Sequence, residues 1–438
     1  MVCRFVCGTQ SNSNRQVDSQ IDPRSATESS LSSTFRRPTM QSILSKGRGN
    51  PSLEIQRKSS IACLPPEILL IIFKMVHSQS RSPFTTTAHI DPSWYSRQDI
   101  ISPSLFPRAV ESVCSSWRSV MSMVPQFWTN LVLVLDIDRP FSLPDVQYFL
   151  EFSGTLILDI VVTRQPDSRL PSAEEEKTFM KPLIKLLAPH FHRCLSFHFY
   201  TIYSDSLPLL GRDLCCAAPH LRVLKLECHI DNGGDQTSAG DWCSLFSPSL
   251  TGLVINGQNI INVASCDPAW FKTIEKLQCL IIVCLASRPE RPSQRLTVYQ
   301  VVRMLDTAKF TLFYLRIKDV HLEHDLMSQR AAVGSLITAS VIHLENLKDT
   351  LIEALFSSAT LHVNHLCITD CSLDAVRSIP TQGCLALKQI KSDLHDFEPL
   401  RTWLGGCLRI TNCRNIDNHS VTSTELLVRE RLWEKLFS

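Results

Sequence analysis

At 438 residues, 44% of them hydrophobic and 20% charged, the chain is long enough for two or more domains or for one elongated repeat structure, which excludes a small disulfide-stapled scaffold. A formal charge of +2 supplies no whole-chain basic surplus of the kind that nucleic-acid or membrane binding needs, so neither partner is expected. The opening MVCRFVCGTQ lacks the apolar core of a signal peptide, runs such as CLIIVCLA are too short to span a bilayer, and the 17 cysteines include no Cys-x-x-Cys pair; the expectation is an intracellular protein, cytoplasmic and/or nuclear, with reduced thiols.

Residues 1–60 are rich in Ser, Thr, Asn, Gln and Arg and carry nine basic against four acidic residues, with apolar residues that fall into no period. Such a segment cannot bury enough apolar surface to offset its ordering entropy, so a disordered basic arm is expected. Within it RRPT and RKSS look like sites for basophilic kinases.

Residues 61–130 read as a helical unit. In LPPEILLIIFKMVHS, Pro65 and Pro66 suit a first helical turn, where a missing N–H costs nothing, and Glu67 favours the positive end of the helix. Apolar residues from Ile68 to Val76 then wrap every side, which a helix tolerates only when its own domain or another protein covers it. After a polar loop, LFPRAVESVCSSWRSVMSMVPQFWTNL predicts one or two short helices closed by Pro125.

The ordered pieces LPPEILLIIF, VCSSWRSV and VPQFWTNL resemble the F-box in the form common in fungal F-box-like proteins, and the resemblance extends over roughly residues 61–199. It implies a three-helix unit that docks on the Skp-type adaptor of a cullin-based ubiquitin ligase, with Leu64, Pro65, Ile68, Leu69, Val113 and Trp117 as the adaptor-binding residues. The alternative is a short helical unit whose apolar residues all serve its own core.

Residues 131–424 are marked by repetition. Cores such as LRVLKLECH, LTGLVINGQ, LQCLIIVCL, LFYLRIKDV, ASVIHLENL and VNHLCITDC have their second anchors at Leu224, Leu253, Leu280, Leu315, Ile342 and Leu366, spaced 29, 27, 35, 27 and 24 residues apart. Weaker copies are WTNLVLVLD, LILDIVV, RCLSFHFY and GCLRITNC. The period predicts an α/β fold in which the helical unit is followed by an irregular leucine-rich-repeat solenoid, a parallel sheet backed by helices such as VYQVVRMLDTA and LKDTLIEALFSSA; a closed α/β domain built from the same elements is the alternative. Ser172 and Glu175 form a capping box, Pro182 marks a kink or restart in the helix that follows, and ELLVRERLWEKLF within residues 425–438 predicts a helix closing the open end.

Candidate chemistry is sparse. His362, His365, Cys367 and Cys371 lie within ten residues, but a strand turns His362 and His365 to opposite sides and Cys371 falls where repeats turn inward to bond loop backbone, so no metal is expected. No phosphate-binding glycine loop, nucleophile elbow or metalloprotease helix is present; no cofactor and no catalysis are expected, although a site assembled from distant residues stays open. What remains is the strand face alternating with the anchors, where Lys225, Glu227, Asn256, Arg316, Lys318, His343 and Glu345 are the expected contacts to a protein target. Together with the resemblance, these features imply a substrate-recognition subunit of an Skp–cullin–F-box ubiquitin ligase; the rival is a free-standing repeat scaffold without ligase association.

Overall fold

Period-two burial builds the sheet. In β4 (Val223–Ile230), Leu224, Leu226 and Cys228 are buried and alternate with half-buried Lys225 and Glu227. The same alternation runs through β1 (Asn130–Leu135) and, with local irregularities, β2 (Leu158–Arg164), β3 (Cys194–Tyr203), β5 (Gly252–Asn256), β7 (Thr311–Val320), β8 (Ser335–Glu345), β9 (Ala359–Thr369) and β10 (Cys384–Lys388). With β6 (Cys279–Leu285) and β11 (Cys407–Thr411) they form an eleven-stranded sheet in which every neighbouring pair is parallel and spatial order equals chain order. Parallel neighbours need a crossover between them, and among the described residues helices lie in the crossovers after β1, β2, β5, β6, β8 and β10. The result is an α/β fold compatible with a solenoid-like arrangement.

The computed structural model describes residues 64–79, 106–136, 142–165, 169–232, 245–266, 270–285, 297–308, 311–321, 335–379, 383–392, 394, 398–401 and 407–411. All of them belong to one unit, Ser59–Ser438; the arm expected at 1–60 and the capping helix expected at 425–438 lie outside the described residues. The six repeat anchors prove to be a single register row, since Leu224 pairs with Leu253, then Leu280, Leu315, Ile342 and Leu366, extended by Phe197 at one end and by Leu385 and Leu408 at the other.

Helices α1 (Pro66–Gln79), α2 (Arg108–Glu111), α3 (Ser115–Ser122) and a 3-10 turn (Pro125–Trp128) precede the sheet. They are followed, in the crossovers, by α4 (Leu143–Phe152), α5 (Ala173–Leu187), α6 (Gly257–Cys266), α7 (Val298–Ala308) and α8 (Asp349–Ser358), with a single turn, α9 (Glu398–Arg401), before β11. Their buried side chains join the anchors in one continuous apolar core, so these helices back one sheet face. The expected capping box is present: Ser172 Oγ accepts the Glu175 N–H while Glu175 Oε2 accepts the Ser172 N–H. At Pro182, where a kink or restart is expected, α5 runs on without a break.

The N-terminal helices are joined to the sheet by aromatic packing. Trp128 is 2% exposed, stacks edge-on against Phe149 and tilted against Phe152 of α4 at 5.5 and 4.9 Å, and donates its indole N–H to the Met121 carbonyl. A boundary at 130/131 therefore falls within β1, and Leu69 and Phe73 of α1 belong to the same core as the strands. On the far side of α4, the buried guanidinium of Arg193 donates to the carbonyls of Leu150 and Leu156 and to Ser153 Oγ, so a cation satisfies groups at the helix C-terminus.

A second repeat signal lies in the backbone. Cys284, Asp319, Asn346, Asp370 and Gln389 all have φ between 49° and 54°, and each directly follows one member of the register row Val283, Lys318, Glu345, Thr369 and Lys388. Asp and Asn tolerate this left-handed region better than other side-chain-bearing residues. The turn aims the N–H of Asn346, Asp370 and Gln389 at the carbonyl of the next strand's end, at 3.0, 2.9 and 3.0 Å. It also sends the following side chain into the core, as with Val320, Leu347, Cys371 and Ile390.

Candidate functional site

Two surfaces carry the residues singled out above. The first is α1. Leu69 and Phe73 are each 1% exposed and face inward, with Phe73 edge-on to Trp117 at 5.1 Å and His77 against Phe106 and Phe127. The opposite side leaves Ile68, Ile71 and Met75 at 42, 55 and 59% exposed, and Val113 lies open at 57%. Of the expected adaptor residues, Pro65, Ile68 and Val113 are thus exposed, and Leu64 and Trp117 are half-buried. Leu69 is a correction: it fills the protein's own core and is not available to a partner. Ile71 and Met75 were not among the expected contacts; one helical turn and two turns beyond Ile68, they were recognisable by spacing once the inward face is known.

The second surface is the sheet face turned away from the helices. Val254, Cys279, Ile281, Tyr314 and Val341 form a small apolar cluster there, separate from the main core, with Val283 packed against it. Beside it the expected residues on β7 and β8 come together although they are 27 to 29 positions apart in sequence. Arg316 Nη2 and Nε bond Glu345 Oε2, the latter at 3.1 Å, and Lys318 Nζ lies 2.9 Å from Oε1. Burial alone would raise the Glu345 carboxyl's pKa, but its hydrogen bonds to Arg316 and Lys318 hold it below the usual carboxylate range.

His343 sits within hydrogen-bonding distance of two hydroxyls, Tyr314 Oη at 3.2 Å from Nδ1 and Thr369 Oγ1 at 3.0 Å from Nε2. Burial, and then the Arg316, Lys318 and Lys388 charges, bring its pKa down to about 4 against the opposing pull of Glu345. The imidazole is therefore neutral near pH 7, with one nitrogen donating and the other accepting. Such a half-buried arrangement of paired charges and hydroxyls is suited to recognising polar groups on a partner.

Lys225 and Glu227 also stand on this face, half-buried, but Val254 and Ile281 separate Lys225 from Arg316 in the register row. Asn256 is a correction. It is 0% exposed at the junction of β5 with α6, accepts from Asn259 Nδ2 at 2.9 Å and serves the first turn of the helix rather than a target. The alternation that should have turned it outward ends with the strand.

The metal-capable quartet disperses. Cys371 is 0% exposed and its thiol bonds the Thr369 carbonyl and accepts the Leu347 N–H, as its repeat position leads one to expect, with burial pushing its pKa up to about 11. Cys367 stays on the sheet face beside Thr369, and His362 is exposed. Among the described residues no three His, Cys, Asp or Glu side chains are grouped so as to hold a metal ion, and no helix is long and apolar enough to cross a membrane. Comparison with protein-family models, curated proteins and solved structures finds no match to this chain.

Proposed function

We propose that the chain is a substrate-recognition subunit of an Skp–cullin–F-box ubiquitin ligase, acting in the cytoplasm or nucleus. The observation that carries the reading is α1, whose inward residues Leu69 and Phe73 anchor it while Ile68, Ile71 and Met75 leave an apolar stripe open. An apolar helix face kept out of the core favours a partner, and LPPEILLIIF, VCSSWRSV and VPQFWTNL point to the adaptor as that partner. The sheet face around Arg316, Lys318, His343 and Glu345 takes the protein target. The chain performs no chemistry itself; it raises the effective concentration of a target near a ubiquitin-charged enzyme held elsewhere on the cullin scaffold.

The test is co-purification of the full chain with an Skp-type adaptor. Ile71→Glu and Met75→Glu lie on exposed positions, so folding should survive while adaptor binding is lost. Undiminished capture of the adaptor by the double variant overturns the assignment of this face. One observation favours the scaffold reading instead: the continuous packing of Trp128 on Phe149 and Phe152 suits helices that merely cap the sheet. That reading expects no adaptor with the parent chain either.

A further inference from the structure

Among the described residues, the sheet face over β7 to β11 carries little negative charge beyond Glu345. Lys388 follows Thr369 in the register row of Lys318 and Glu345, and Arg409 follows Cys367 and Ala386 in the row of Arg316 and His343. Both are exposed, and among the described residues neither forms an ion pair. Arg316 and Lys318 share the Glu345 carboxylate, and Lys388 and Arg409 stand on the same face, so among the described residues cations outnumber acids on these strands. Two further acids among the described residues lie at the strand ends: Asp319 is 4.0 Å from Lys318 Nζ, and Asp370 is paired with Lys391 at 3.3 Å.

We infer that this face binds an acidic, extended segment of a partner protein lying across the strands, with its carboxylates over the Arg316–Lys318 pair at one end and over Lys388 and Arg409 at the other. Adjacent strands lie about 4.8 Å apart, so β7 to β11 span roughly 19 Å, the reach of about six extended residues. Acidic residues are therefore expected about four to six positions apart, with smaller or polar residues between them passing over Glu345 and the Thr369 hydroxyl. A nucleic acid fits less well. Tyr314 is 6% exposed with its hydroxyl on His343, so its ring is closed to base stacking, and Glu345 opposes a continuous run of phosphates.

The inference rests on the sheet face being the target surface, and its test does not depend on adaptor binding. The full chain is titrated, by fluorescence anisotropy, with a labelled Glu-rich peptide of about eight residues, its Gln isostere, a neutral peptide bearing one phosphoserine, and a short single-stranded oligonucleotide. The Glu peptide should bind, weaken as salt rises, and lose at least about tenfold in affinity in Lys388→Glu/Arg409→Glu, with the milder Lys388→Gln/Arg409→Gln intermediate. Circular dichroism confirms that each variant is folded. Equal binding of the Gln isostere, no binding of the Glu peptide, an unchanged affinity in the double reversal, or preferential binding of the phosphopeptide or oligonucleotide each overturns the assignment to an acidic protein segment. Adaptor capture by the same variants reports on the ligase reading separately.

Discussion

Lys318 and Glu345, in register on adjacent parallel strands, meet with Nζ 2.9 Å from Oε1, while Arg316 occupies the other oxygen of the same carboxylate. Expected from sequence as contacts to a protein target, they form one half-buried, internally paired unit. Charge reversal at Arg316 or Lys318 is therefore not the stability-neutral change that a solvent-facing strand position suggests, because it sets a new carboxylate beside Glu345. Arg316→Glu should destabilise by about 2 kcal/mol and Lys318→Ala, which is more exposed, by less than about 1 kcal/mol. Urea denaturation of each variant checks the order.

His343 makes a pH prediction. Its folded pKa of about 4 lies below the unfolded value of 6.5, so between those values the unfolded chain binds more protons. The contribution to stability is full above pH 6.5 and is lost as pH falls toward 4. The groups facing it are Arg316, Lys318, Glu345, Lys388, Tyr314, Cys367 and Thr369. Thermal midpoints of the parent should drop between pH 7 and pH 5 more steeply than those of His343→Gln; parallel slopes would show that another group governs the acid limb.

Arg193→Ala should cost about 3 kcal/mol, because it leaves the Leu150 and Leu156 carbonyls and Ser153 Oγ buried with one partner fewer each. Arg193→Lys keeps the charge but cannot reach all three from one ammonium, so an intermediate loss is expected. Both are read by chemical denaturation.

Glu176 is 5% exposed and accepts the N–H groups of Ile202 and Tyr203 at 2.9 and 3.0 Å, pinning α5 to the end of β3. Burial raises its pKa above 4.5, so the carboxylate is costly to hold. A Gln amide would nevertheless present one N–H₂ to a donor. Glu176→Gln should lose about 1 to 3 kcal/mol, with faster amide exchange at Ile202 and Tyr203.

Gly383 has φ +86°, and a Cβ there would lie 2.4 Å from the Asn364 carbonyl oxygen. Gly383→Ala must distort the start of β10, costing at least about 2 kcal/mol from the backbone conformation and the clash together. Hydrogen exchange should show the loss concentrated in β10 and β11.

The parallel sheet was legible because each repeat leaves one apolar anchor at a fixed place, and six of those anchors are true register partners. CLALK, the core of β10, escaped notice because its anchor Leu385 follows Leu366 by only 19 residues, short of the 24 to 35 that separate the recognised anchors. Leu69 and Asn256 were misjudged for opposite reasons. An all-round apolar helix does not say which face is inward, and a period-two rule says nothing about where a strand gives way to a helix. The Glu345 pairing was hidden because it joins two adjacent strands across a crossover, and neither a local pattern nor a period measures the separation of charges across strands.

The identity of chain order and spatial order has a mechanical meaning. No strand is inserted between two that precede it, so tension on either end need not shear the whole sheet at once; it can peel the outermost strand and then the next. An unfolding motor drawing the chain from its C-terminus would meet β11, β10 and β9 in succession, each resisting with one neighbour's worth of hydrogen bonds, and would reach the welded joint at Trp128 last.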